Sequence, residues 1–129
     1  MLVFSIILCK KMQQKRYHII IDLENISEKY LTNEKSLKTF LTKLPEIINM
    51  HVLKGPIIAK GIPENPGLSG FVIIDYSHIS IHTFTSSHEA LVDIFSCKPY
   101  DIGVAKEAVL DYFHAQDVSS AHIQTVSWA

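Results

Sequence analysis

Apolar residues gather in six short strand-like runs and follow a period near 3.6 in two stretches, so strands should outnumber helices. Tyr17 to Leu23 is β-branched and predicts a buried strand. Asn33 suits a helix N-cap, and Leu37, Phe40, Leu41, Leu44, Ile47 and Ile48 then line one face of a helix expected from about Glu34 to Met50. Pro45 falls inside this pattern and is expected to kink or split the helix. His51 to Ala59 predicts a second strand, interrupted by Gly55-Pro56, and Gly61 to Gly67, with Pro63, Asn65 and Pro66, reads as a loop. Three strand-like runs follow: Ser69 to Asp75, His78 to Phe84, and Ala90 to Ser96. Asp101 or a neighbour opens a second helix with Val104, Ala108, Val109, Tyr112 and Phe113 as its buried stripe. A last strand is expected from about His122 to Trp128.

The order βαββββαβ, with its central strands adjacent, predicts an α+β fold: a two-layer sandwich of a mostly antiparallel sheet with two helices on one face. Such a domain leaves its other sheet face open. A second subunit is the natural cover, so a homodimer or larger homo-oligomer is expected.

With 129 residues, 47% hydrophobic and 19% charged, the chain should bury one core. The net charge of −1 gives no general attraction to nucleic acid or anionic membrane. Met1 to Leu8 is apolar but too short to span a bilayer, and its basic residues Lys10, Lys11, Lys15 and Arg16 follow the apolar run, the reverse of a secretory signal. Residues 1–11 read as a dispensable extension or a misplaced start, with the domain running from Met12 to Ala129. Cys9 and Cys97 lie far apart and are expected to be free thiols of a cytoplasmic protein. The seven histidines are scattered, so no metal site is expected.

Chemistry concentrates in Ser69-Gly70-Phe71-Val72-Ile73-Ile74-Asp75-Tyr76-Ser77-His78-Ile79-Ser80-Ile81-His82-Thr83-Phe84, followed by Asp93-Ile94-Phe95-Ser96-Cys97. Alternation places His78, Ser80 and His82 on one strand face and Ile79 and Ile81 on the other. Any half-exposed strand shows such a pattern, and a lone strand-end cysteine such as Cys97 usually reads as buried. The combination is more specific. Ser-His-hydrophobic-Ser-Ile-His-Thr-aromatic, then Asp-hydrophobic-Phe-Ser-Cys, with Ser-Gly upstream, resembles the processing and active-site region of the prokaryotic S-adenosylmethionine decarboxylases. The likeness extends from about Arg16 through the second helix.

This resemblance implies a pyruvoyl-dependent decarboxylase of polyamine biosynthesis that cuts its own chain between Tyr76 and Ser77. Ser77 would attack the Tyr76 carbonyl to form an ester, and β-elimination would leave a residue that hydrolyses to the pyruvoyl cofactor. His82 would be the base for elimination, and Ser69 would polarise the carbonyl or the oxyanion. The cofactor would form a Schiff base with the small-molecule substrate, and Cys97 would return a proton to the carbanion left by decarboxylation. Phe84, Tyr17 and Tyr76 are candidates for an adenine platform.

The chain departs from the family pattern at two places. Tyr76 stands where Glu is usual, and Phe84-Thr85-Ser86 replaces Trp-Pro-Glu. Two alternatives stay open: an ornithine or arginine decarboxylase on the same fold, for which Asp75, Glu89 and Asp93 could hold the distal cation, and a non-processing regulatory homologue.

Overall fold

The computed structural model describes residues 15–115 and 118–128; the expectation for residues 1–11 lies outside them. Six strands form one antiparallel sheet in the order β2-β3-β4-β5-β1-β6. They are β1 (Tyr17–Leu23), β2 (Val52–Ile62), β3 (Asn65–Ile74), β4 (Ser77–Phe84), β5 (Glu89–Ser96) and β6 (Ala121–Val126). Two helices, α1 (Glu34–Ile47) and α2 (Ile102–Tyr112), cover one face, which gives the expected α+β two-layer sandwich. Asn33 caps α1 by accepting from the Ser36 N–H at 2.9 Å, and Asp101 caps α2 by accepting from Val104 at 3.1 Å.

Period-two alternation builds the core. Ile19, Ile21, Leu23, Val72, Ile79, Ile81, Val92 and Ile94 point from neighbouring strands towards Leu37, Leu41, Leu44, Ala105, Val109 and Phe113, all of them buried. Each fully buried aliphatic side chain of this kind contributes about 1.5–3 kcal/mol.

The structure corrects several local expectations. Gly61 to Gly67 is the end of a long hairpin, since β2 runs on to Ile62 and β3 begins at Asn65. Its prolines are tolerated because β2 is an edge strand and Pro66 lies at the start of β3. Pro45 does not split α1, because it sits in the last turn; the helix ends at Ile47, short of Met50. Ile47 and Val104 are exposed rather than part of the buried stripes, and the last strand stops at Val126.

Gly67 has φ +153°, and a Cβ there would fall on the Thr83 carbonyl oxygen. Gly67→Ala is therefore expected to lower stability by about 2 kcal/mol or more, through strain and backbone overlap. Chemical denaturation would check this; an unchanged unfolding midpoint would contradict the close approach of β3 to β4.

Candidate active site

The β3–β4 turn consists of Asp75 and Tyr76, and three contacts fix it. The His51 N–H donates to Asp75 Oδ1 at 3.0 Å, the Asp75 N–H donates to the His51 carbonyl at 2.9 Å, and the His51 ring Nδ1 lies 3.1 Å from Asp75 Oδ2. The His51 backbone N–H is the chief cause that holds the Asp75 carboxyl below its ordinary value. The Cys97 N–H donates to the Tyr76 carbonyl oxygen at 3.0 Å. Ser77 follows at φ +144°, a conformation that favours glycine and costs a serine about 1–3 kcal/mol. A polarised carbonyl thus adjoins a strained serine.

Ser77 pairs in register with Ser96, and Ser96 with Tyr17. Buried Ser96 shapes the chain that supplies the Cys97 amide: its hydroxyl donates to the Lys98 carbonyl and accepts from the Lys98 N–H, both at 2.9 Å. Cys97 is a free, exposed thiol just past β5, not the buried strand-end cysteine that the residue type alone suggests. Tyr76 and Tyr17 lie at this end of the sheet.

The structure places the other two expected residues elsewhere. Ser69 and His82 face each other across β3 and β4, with Ser69 Oγ 2.8 Å from His82 Nδ1. His82 is five positions beyond Ser77 along β4, about 17 Å at ~3.4 Å per residue. Within one chain, then, Ser77 and Cys97 form one candidate half-site, and Ser69 and His82 form another. Phe84 belongs to the second end. Thr83 of the same motif serves the fold: it is buried, donates to the Leu31 carbonyl at 2.7 Å and accepts from the Leu68 N–H at 2.8 Å.

His78, Ser80 and His82 lie on the face opposite the buried Ile79 and Ile81, as expected. On that face a row of rings crosses four strands and the chain beyond β6, a juxtaposition that no sequence motif marks. Phe71 stacks on His78 at 5.3 Å, His78 on Phe95 at 5.5 Å, and Phe95 meets His18 edge-on at 5.0 Å. Trp128 packs on both Phe95 and His18. Phe71 and Phe95 sit at outward positions of their strands, and that misplaced apolarity was the available signal. His18 Nε2 is 3.0 Å from both carboxylate oxygens of Asp93. Of the three carboxylates considered for a distal cation, Asp75 is engaged by His51, Asp93 by His18, and Glu89 lies opposite Phe84 at the far end. Among the described residues there is no group of three or more His, Cys, Asp or Glu able to hold a metal, and no helix long and apolar enough to cross a membrane.

Comparison with known proteins identifies the relatives of this architecture. Residues 17–125 match the family model for S-adenosylmethionine decarboxylase. An arginine decarboxylase proenzyme of Caldivirga maquilingensis is 27% identical over 88 residues, 65% of this chain and 66% of that protein. An S-adenosylmethionine decarboxylase proenzyme of Clostridium botulinum is 36% identical over 88 residues, 67% of this chain and 72% of the relative. The crystal structure of the adenosylmethionine decarboxylase from Aquifex aeolicus shares the fold, with a TM-score of 0.68 over 89% of this chain and 91% of that one, at 24% identity. The chain belongs to the S-adenosylmethionine decarboxylase family, a family of carboxy-lyases.

Proposed function

We propose that the chain cleaves itself between Tyr76 and Ser77 to make a pyruvoyl group, and then decarboxylates S-adenosylmethionine in the cytoplasm as a step of polyamine synthesis. The observation that carries this reading is the Tyr76–Ser77 turn, where the Cys97 amide holds the carbonyl to be attacked and the serine that attacks it is strained. The amide stabilises negative charge on the Tyr76 oxygen as Ser77 Oγ adds, and cleavage relaxes the Ser77 backbone. The strained Ser77, with the exposed Cys97 thiol close by, fits a pyruvoyl group made from the chain itself. A pyruvoyl group supplies a ketone that condenses with the substrate amine and takes up the electrons released with carbon dioxide. Cys97, exposed beside that position, is the proton donor.

The two half-sites support an assembly of two copies. Stacking the ring-bearing faces about a twofold axis would cover the apolar row and bring Ser69 and His82 of one copy over Ser77 of the other. His82 would then act as the base, with its Nδ1 held by Ser69.

The pairing of Asp75 with His51 and of Asp93 with His18, which leaves only Glu89 of the three candidates for a distal cation, supports S-adenosylmethionine over ornithine or arginine. A guanidinium or ammonium needs a free carboxylate, whereas a sulfonium is held by ring faces such as those of the row. Likeness to the Caldivirga arginine decarboxylase proenzyme keeps arginine as the second reading. A carbon dioxide release assay on cleaved protein with S-adenosylmethionine, ornithine, arginine and lysine in parallel tests both. Turnover of S-adenosylmethionine alone is expected, and Cys97→Ala should cut kcat about 100-fold or more. Turnover of arginine alone would move the assignment to the second reading, and no turnover of any by cleaved protein would refute decarboxylation of all four.

A further inference from the structure

Self-cleavage as proposed above creates a carboxylate that the intact chain lacks. Ser77 Oγ adds to the Tyr76 carbon, the C–N bond breaks, and an ester and a free amine result. Removal of the Ser77 α-proton then breaks the Cβ–O bond, and the electron pair leaves with the Tyr76 carboxylate. The enamine left on residue 77 becomes an imine, and water hydrolyses it to the ketone and ammonia. A cation beside Tyr76 would stabilise that leaving group.

Lys98 occupies this place. Its backbone is bracketed by the Ser96 hydroxyl at both N–H and carbonyl, and Pro99 restrains it to extended conformations. Its Nζ donates to the Asn49 carbonyl at 3.2 Å and lies 4.8 Å from the centroid of the Tyr76 ring. The neighbouring residue, Cys97, holds the Tyr76 carbonyl oxygen. Among the described residues no carboxylate lies within ion-pair distance of Lys98; Asp75, in the same turn, is paired with His51. An ammonium has three donors, and Asn49 takes one.

Resting on the cleavage reading, we infer that Lys98 assists the elimination by pairing with the Tyr76 carboxylate as it leaves, and afterwards anchors the new C-terminus beside the active site. Tyr76 contributes to its own departure, since its ring helps to place the cation.

The test follows freshly translated chains over time on a denaturing gel, with and without hydroxylamine, which cleaves the ester. Lys98→Met keeps the stem and removes the charge. It should slow release of the fragment beginning at residue 77 roughly tenfold, the worth of one charge-assisted hydrogen bond, while hydroxylamine-sensitive chain accumulates. Lys98→Arg should restore most of the rate, and both variants should melt with the wild type. Lys98→Met cleaving at the wild-type rate would overturn the role. So would slowing without ester accumulation, or Lys98→Arg remaining as slow as Lys98→Met. A wild-type chain that stays intact would instead overturn the cleavage reading itself, before any variant is compared.

Discussion

Ser77→Ala is expected to abolish cleavage and, with it, all decarboxylation. In the proposed reaction the hydroxyl is both the nucleophile on Tyr76 and the group that later leaves with its acyl partner, a double role that no neighbouring side chain can take over. Ser80 is three positions on, about 10 Å along β4, and Ser96, in register with Ser77, spends its hydroxyl on Lys98. A protein of intact mass, folded as judged by its melting curve and inactive on every substrate above, is the expected result. Fragments that end at Tyr76 in the alanine variant would show that another nucleophile or a contaminating protease makes the cut.

The second large effect concerns His82. Removing a general base should slow elimination by about 10²–10⁴-fold, so His82→Ala should accumulate as intact or ester-linked chain. The separation of about 17 Å between His82 and Ser77 on one chain makes a stronger expectation available. Chains carrying Ser77→Ala and chains carrying His82→Ala, each inert alone, should restore cleavage when they assemble together, and only the His82→Ala chains should be cut. These chains retain Ser77 and would receive His82 from the partner. Differently tagged copies, co-expressed and resolved by mass, give the answer. Failure of the mixture to cleave while mixed dimers form would contradict the shared site. A light-scattering mass of one chain at micromolar concentration would contradict the assembly itself.

Much of the fold could be read from alternation because the buried rows are so uniform: Ile79 and Ile81 on β4 and Val92 and Ile94 on β5 leave no choice of face. Element boundaries were less legible where proline and glycine carry two meanings. Pro56 and Pro66 look like breakers, yet an edge strand and a strand start can dispense with the missing N–H. Val104 fits a helical stripe by spacing but falls just outside the surface that α2 presents to the core, where Ala105 takes its place beside the expected Val109.

The chemistry of the site was legible as residue types and only partly as geometry. Ser77, His82, Cys97 and Ser69 stand in one motif, and a motif suggests proximity. Five residues of strand nonetheless set Ser77 and His82 about 17 Å apart, a distance implied by the spacing itself once β4 is recognised. The contact most relevant to the proposed cleavage, from the Cys97 amide to the Tyr76 carbonyl, involves only backbone atoms and so leaves no mark on residue identity. The ring row was hidden for another reason. Its members come from β3, β4, β5, β1 and the chain beyond β6, and only register brings them together.

The most direct measurement is the mass of the purified wild-type protein after prolonged incubation. Two species are expected: an upstream fragment that ends in the free carboxylate of Tyr76, and a downstream fragment that begins at residue 77, blocked to Edman sequencing and lighter by one ammonia than the same peptide with an N-terminal serine. Reduction with borohydride in the presence of substrate should attach substrate to the downstream fragment alone. A single intact chain after long incubation, or a downstream fragment with an ordinary serine at its N-terminus, would contradict self-made pyruvoyl chemistry.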